Sequence, residues 1–486
     1  MIDNTLARLA RAALLPGFTG ATAPHWLLTE LERGLGGVTL FALNGNVPET
    51  GALARLTAAL REAGDPIVTI DEEGGDVTRL GGHRTASPYP GNAALGVVDD
   101  VELTRRVYRS LAAELAAVGV NLNFAPSVDV NTADDNPIIG VRAFGSDPEL
   151  VARHAAASVT GTQEAGVAAC AKHFPGHGAT VEDSHLGVPL VEADLDLLER
   201  RELVPFRAAL KADVRAVMTG HLNLPTITGG EPATLSQAAI TGLLRGRLGF
   251  EGAIVTDALD MDGASGAIGV PEAAVRALYA GADLLCLGHR EHGDSVQAIV
   301  TAIATAVREG RLSGERLEDA AERGRALRAW LTGAGTASVD RTAAMEAARR
   351  ALAFSGELPD LGVPLVVELE APGNIAVGPT PWGLGPWASD LVRVEGATAE
   401  AGPLLERAAG RGLVVVLRDA HRHAGQRSLA TALLAARPDA VVVEMGLPVW
   451  RPGCGAYLAT FGATRANGRA AAEMLGLTER DSTGQH

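Results

Sequence analysis

The sequence predicts an α/β protein, a (β/α)8 TIM-like barrel followed by a smaller αβα sandwich. Three observations predict it. Eight short apolar runs alternate with helical patterns between residues 13 and 330. A small, polar segment, LTGAGTASVDR, follows at residues 331–341. Three more apolar runs with their own helical patterns lie beyond it. The runs lack clean polar alternation, as expected of parallel strands covered on both faces. Eight βα units in series are the arithmetic of a barrel, with a doubly wound open sheet as the alternative.

In chain order the expected barrel strands are Ala13–Pro16, Val38–Ala42, Ile67–Ile70, Asn121–Ala125, Ala168–Lys172, Ala216–Thr219, Ala253–Thr256 and Asp283–Leu287. Helical period fills the intervals at Pro48–Ala63, Val101–Val118, Pro148–Ala165, Asp194–Ala212, Ser236–Arg247 and Gly269–Ala280. The polar segment reads as a linker. It divides the chain into a barrel over 1–330 and a second unit over 342–486. That unit opens with a helix, Thr342–Phe354, and carries strands at Val363–Val367, Leu413–Leu417 and Ala440–Val443, expected to form a parallel sheet. Its helices fall at Pro403–Ala409, Ala424–Ala436 and Thr464–Leu475.

Composition narrows the function. The 486 residues carry 42 basic and 58 acidic side chains, a net charge of −16. Nucleic acid and anionic membranes are therefore not expected partners, because phosphate binding needs a basic face. Three distant cysteines, Cys170, Cys286 and Cys454, form no disulfide framework and fit a reducing compartment. Met1–Gly20 lacks the basic-then-apolar pattern of a secretory leader, and no apolar run reaches the ~18 residues of a membrane span. A cytoplasmic location is the expectation. Forty of the basic residues are arginine; only Lys172 and Lys211 are lysine. A lysine kept against that bias marks a place where a compact ammonium serves and a guanidinium does not.

Polar clusters gather at the C-terminal strand ends, the rim where barrel active sites form. After the third strand comes Asp71-Glu72-Glu73-Gly74-Gly75-Asp76, with Arg79 beyond it. Three adjacent carboxylates are not expected all to be buried. The run is either a solvated turn or a place where Asp71 accepts hydrogen bonds from ligand hydroxyls. After the fourth strand Arg142 is either a ligand clamp or a salt-bridge partner. After the fifth comes Lys172-His173-Phe174-Pro175-Gly176-His177-Gly178, then Asp183-Ser184-His185. Proline and glycine forbid a helix here, so His173 and His177 are no helical metal pair. An Asp–His pair suits a proton shuttle near neutral pH. Asp257, closing the seventh strand, is either a helix N-cap or a catalytic carboxylate. A mouth of carboxylates, one lysine, arginines and histidines suits hydroxyl-rich ligands and glycosidic chemistry. Neither a metal cage nor a phosphate-cradling loop is evident.

Ile70–Gly75, Lys172–Gly178 and Thr256-Asp257-Ala258-Leu259 resemble the signatures of glycoside hydrolase family 3. Asp183-Ser184-His185 behind KHFPGHG resembles its β-N-acetylglucosaminidase branch. The resemblance implies a retaining, exo-acting enzyme that releases terminal N-acetylglucosamine from small saccharides and needs no cofactor. Asp257 would be the nucleophile, His185 the acid/base held by Asp183, and Asp71 a ligand of sugar hydroxyls. Arg79, Arg142, Lys172 and His173 would complete the sugar pocket. Two departures, Glu72 for an expected Gln and Asp76 for an expected basic residue, would make the rim more negative. A histidine acid/base does not repel phosphate as a carboxylate would, so phosphorolysis is one alternative. A non-catalytic sugar-binding barrel is another. In the second unit, the cluster Arg418–His423 follows a strand and is expected to be a solvated loop rather than a contact with the barrel.

Overall fold

The computed structural model describes residues 4–80, 88–182, 187–289, 293–333, 337–370, 376–378 and 381–478. Its first unit holds eight strands: β1 (Leu14–Pro16), β2 (Gly37–Leu40), β3 (Ile67–Ile70), β4 (Leu122–Asn123), β5 (Ala168–Phe174), β6 (Ala216–Thr219), β7 (Ala253–Thr256) and β8 (Leu285–Gly288). β2 to β7 form one parallel sheet in sequence order. β1 pairs in parallel with β8. A bridge between Val255 and Leu284 joins β7 to β8. On the other side the Thr39 hydroxyl donates to the Leu15 carbonyl, and Gly36 N–H to the Arg11 carbonyl, so β1 abuts β2. The sheet thus closes into a barrel.

The strand periodicity sorts the core into two layers. Leu15, Ile67, Leu122, Cys170, Met218, Val255 and Cys286 point inward and fill the barrel. Leu14, Val38, Val68, Ala169, Val217, Ile254 and Leu285 point outward onto the helices. Both faces are apolar, which is why the strands read as unbroken runs. Two expected helices differ in detail. The one expected over Asp194–Ala212 breaks at Arg201-Glu202 into Leu195–Arg200 and Leu203–Lys211. The one over Ser236–Arg247 is a π-helix at Ala238–Arg247.

The second unit has six strands where the sequence suggests three: β9 (Ala353–Gly356), β10 (Leu365–Glu370), β11 (Leu391–Glu395), β12 (Leu413–Leu417), β13 (Val441–Glu444) and β14 (Ala456–Ala459). Their order is β11-β10-β12-β13-β14-β9, and β9 runs antiparallel, so the sheet is mixed. β9 occupies the end of the segment expected to be helical, and the helix stops at Arg350. β9 and β11 are edge strands, and neither buries a continuous apolar run. Helices cover both faces, with Val367, Val415 and Val442 on one and Val366, Val414 and Val443 on the other.

The two units share the helix Arg341–Arg350. Ala343, Ala344 and Ala347 join the barrel's outer core, while Ala348 packs with Ala466 and Ala470 of the second unit. Alanines on both faces let two neighbours approach one helix. Among the described residues, no helix is long and apolar enough to cross a membrane.

Candidate active site

The barrel mouth opens into a cavity of about 520 Å³. Asp71, Arg79, Arg142, Lys172, His173 and Asp257 all line it. Asp183 and His185, the expected acid/base pair, lie outside the described residues. Phe124, Met218 and Cys286 line it as well, from the top of the barrel interior.

Strands β3 to β5 carry a dense charge network. Asp71, the first residue after β3, receives the Lys172 ammonium at 2.5 Å. The same nitrogen lies 2.7 Å from Glu73. Arg142 closes a two-pronged contact on Glu73 at 2.7 and 2.9 Å. Side chains of Glu73 and Lys172 are each 2% exposed. Burial alone would push the Glu73 carboxyl up, but Arg142 and Lys172 prevail and hold it well below the usual carboxylate range. Burial likewise opposes the charged form of Lys172, yet Asp71 and Glu73 raise it above an ordinary lysine. One small ammonium between two carboxylates accounts for this lysine in an arginine-rich chain.

Asp129, buried after β4, organises the KHFPGHG segment. It accepts the backbone N–H groups of His173 and His177 and the Ser127 hydroxyl, and it pairs with His173 Nδ1 at 2.7 Å. Burial pushes this carboxyl up, but His173 overrides it and keeps it below the normal range. Nε2 of His173 faces the Arg142 guanidinium, 3.3 Å away. His177 is fully buried against Thr180 at 2.7 Å, and burial followed by the charge of His173 lowers it to about 4. Among the described residues, no group of three His, Cys, Asp or Glu side chains is arranged to hold a metal ion.

Asp257 follows β7. Its N–H donates to the Thr219 carbonyl, and its carboxylate accepts Ala258 N–H at 2.8 Å. The next helix starts only at Asp262, so Asp257 is no helix N-cap. It is half-buried and faces the cavity.

Several expectations need correction. The three adjacent carboxylates are not all buried, as expected, since Asp71 is partly exposed; but the run is no solvated turn, because Glu72 and Glu73 are buried with their own partners. Glu72 does not charge the rim: its carboxylate accepts Arg79 N–H at 2.6 Å and Leu80 N–H at 2.8 Å. Asp76 does not either. It is ion-paired at 2.6 Å with Arg418 of the second unit and accepts Ala463 N–H. Gly75, at φ +63°, gives this loop its turn; a Cβ there would lie 2.4 Å from Gly91 Cα. The Arg418–His423 cluster is no solvated loop. Besides Arg418, His421 contacts the Asp134 carbonyl and Arg422 donates to Pro137 across the same boundary. Arg79 both lines the cavity and donates to the carbonyls of Ala376 and Val377, which line it from the second unit.

Sequence reasoning missed Glu73 and Asp129 as site organisers and Asp260 and His289 as lining residues. A buried carboxylate placed to orient a neighbour leaves no local spacing signal. The nearest clue is that Asp129 lies in a buried run, 44 positions before His173.

Comparison with known proteins follows the same line. The family model described as "Glycosyl hydrolase family 3 N terminal domain" matches residues 22–327. Beta-hexosaminidase A of Pseudoalteromonas piscicida is 34% identical over 316 residues, which span 60% of this chain and 52% of that protein. The chain therefore aligns with about half of that relative's length. A beta-hexosaminidase of Thiobacillus denitrificans is 38% identical over 272 residues, 54% of this chain and 74% of its own. The solved structure of a glycoside hydrolase family 3 beta-N-acetylglucosaminidase from Paenibacillus sp. str. FPU-7 superposes with a TM-score of 0.88 at 34% identity, covering 99% of this chain and 98% of that one.

Proposed function

The chain belongs to glycosyl hydrolase family 3, and we propose that it is a retaining, exo-acting β-N-acetylglucosaminidase acting on small saccharides such as chitin disaccharide or muropeptide fragments. One observation carries the reading. A half-exposed carboxylate, Asp257, shares a cavity with a buried network that presents Asp71, Lys172, Arg142 and His173.

In this mechanism Asp71 and Lys172 hold sugar hydroxyls, with acceptor and donor side by side. Arg142 and His173 complete the grip, and Arg79 closes it beside the second unit. Asp257 attacks the anomeric carbon while His185, oriented by Asp183, protonates the departing oxygen. Water deprotonated by His185 then cleaves the glycosyl ester. Two inversions give net retention.

The test is the product formed from chitin disaccharide, with and without inorganic phosphate. Free N-acetylglucosamine, released first as the β-anomer at a phosphate-independent rate, is expected. The sugar 1-phosphate, formed faster as phosphate rises, makes the enzyme a phosphorylase instead. No turnover in either buffer leaves a sugar-binding protein. His185→Ala is expected to lose far more activity on the disaccharide than on an aryl glycoside whose leaving group needs no proton. Equal losses would remove His185 from the acid/base role.

A further inference from the structure

An Asp–His pair lines the cavity, on the wall that carries Asp257. His289 follows β8, and its Nδ1 lies 3.2 Å from Asp260 Oδ2. The same oxygen accepts His289 N–H at 3.1 Å. Asp260 is only 9% exposed, whereas His289 is 34% exposed, so the carboxylate is the fixed partner and the ring is the presented one. The approach depends on Gly288 between them. It adopts φ +98°, and a Cβ there would fall 2.0 Å from the Asp260 carboxyl carbon. The loop after β7 is anchored as well, because Leu259 N–H donates to the Cys286 carbonyl at 2.9 Å. Phe41 packs edge-on against the imidazole, with ring centroids 6.2 Å apart.

We propose that His289, oriented by Asp260, is a specificity-determining residue that hydrogen-bonds the first sugar of the leaving group. The inference rests on the glycosidase reading above. A pyranose gripped by Asp71, Lys172, Arg142 and His173 is held by its hydroxyls from the β3–β5 side. Its anomeric carbon must then face Asp257 at the end of β7, across the barrel. β8 is the next strand, so a residue at its end stands beside the anomeric centre and not beside the gripped hydroxyls. A carboxylate on Nδ1 fixes the tautomer that makes Nε2 the acceptor. A saccharide leaving group offers hydroxyl donors to such an acceptor; a nitrophenyl group offers none.

The experiment compares kcat/KM for chitin disaccharide and for 4-nitrophenyl β-N-acetylglucosaminide in the wild type, His289→Ala, His289→Gln and Asp260→Asn. Turnover of the aryl glycoside shows that each variant is folded. The disaccharide-to-aryl ratio is expected to fall ~10-fold in His289→Ala, the scale of one lost hydrogen bond. It should fall less in Asp260→Asn and recover partly in His289→Gln, which keeps an acceptor. An unchanged ratio in His289→Ala overturns the proposal, as does a loss that is equal on both substrates. A wild type inert on both overturns the glycosidase reading itself, an outcome separable from an unchanged ratio.

Discussion

The two walls of the cavity are built on opposite electrostatic terms. On the β3–β5 wall, Glu73, Lys172 and Arg142 are nearly sealed from solvent, and every charge has an opposite within 3 Å. On the β7–β8 wall, Asp257 is half-buried, Asp262 is exposed and His289 is one-third exposed. In the proposed mechanism the first wall presents donors and acceptors at fixed positions, and mutual pairing in a low-dielectric setting fixes them. The second, in the same proposed mechanism, has to offer a carboxylate that forms and releases a bond. Substitutions on the two walls should therefore fail differently.

Asp257→Asn gives the largest effect. Turnover is expected to drop at least ~10³-fold, the scale for losing a group on which the transition state depends. Stability should change little, because a half-exposed carboxylate becomes an amide of the same shape. Steady-state kinetics beside thermal unfolding checks both halves. A large fall in melting temperature would place Asp257 with the first wall instead.

Glu73→Gln should show the reverse pattern. It leaves Lys172 and Arg142 buried with one neutral partner, and breaking a buried ion cluster typically costs about 3–5 kcal/mol. Denaturant unfolding reads that loss, which should come with weakened sugar binding. A variant as stable as the wild type would mean that the network is not what fixes this wall.

Acid should also damage the first wall. His177 binds its proton at about 4 in the folded protein, against an ordinary value near 6.5. Between those values the unfolded chain binds more protons than the folded one, so stability falls as pH drops from ~6.5 toward ~4. The full contribution is about 3 kcal/mol. Glu73, held low, keeps its charge through this window and adds nothing to the slope there. Melting temperature against pH, compared with His177→Asn, isolates the effect. Parallel profiles would sink it.

The difference between the walls also explains what could be read from the sequence. The barrel strands were legible because burial on both faces leaves plain apolar runs, as in Ile67–Ile70 and Ala253–Thr256. Asp71, Lys172 and Asp257 were legible because each follows or closes such a run. Glu73 and Asp129 were not, since their value lies in partners 69 and 44 positions away. β9 and β11 were missed because edge strands bury too little to show a pattern. Asp76 was misjudged for the same reason as Glu73. Its partner, Arg418, lies 342 positions along the chain.

That pair gives the smallest and most local test. Asp76 sits on the loop that begins with Asp71 and Glu73 and ends with Arg79, so the β3–β5 wall is tied to the second unit at two points. Arg418, 14% exposed and 5.7 Å from the centre of the Trp382 ring, would keep that apolar contact if its carboxylate were lost. Asp76→Asn should therefore cost only about 1–3 kcal/mol, in the range of a charge-assisted hydrogen bond. Arg418→Gln should cost a similar amount. The double variant should fall short of the sum, by a coupling of about 0.5–3 kcal/mol, if the two side chains act as one unit. KM for the saccharide should rise in both single variants, because Arg79, on the same loop, holds the Ala376–Val377 edge of the cavity. Additive stabilities with an unchanged KM would show that the second unit merely rests on the barrel, and that the β3–β5 wall is held through Glu73 and not through Asp76.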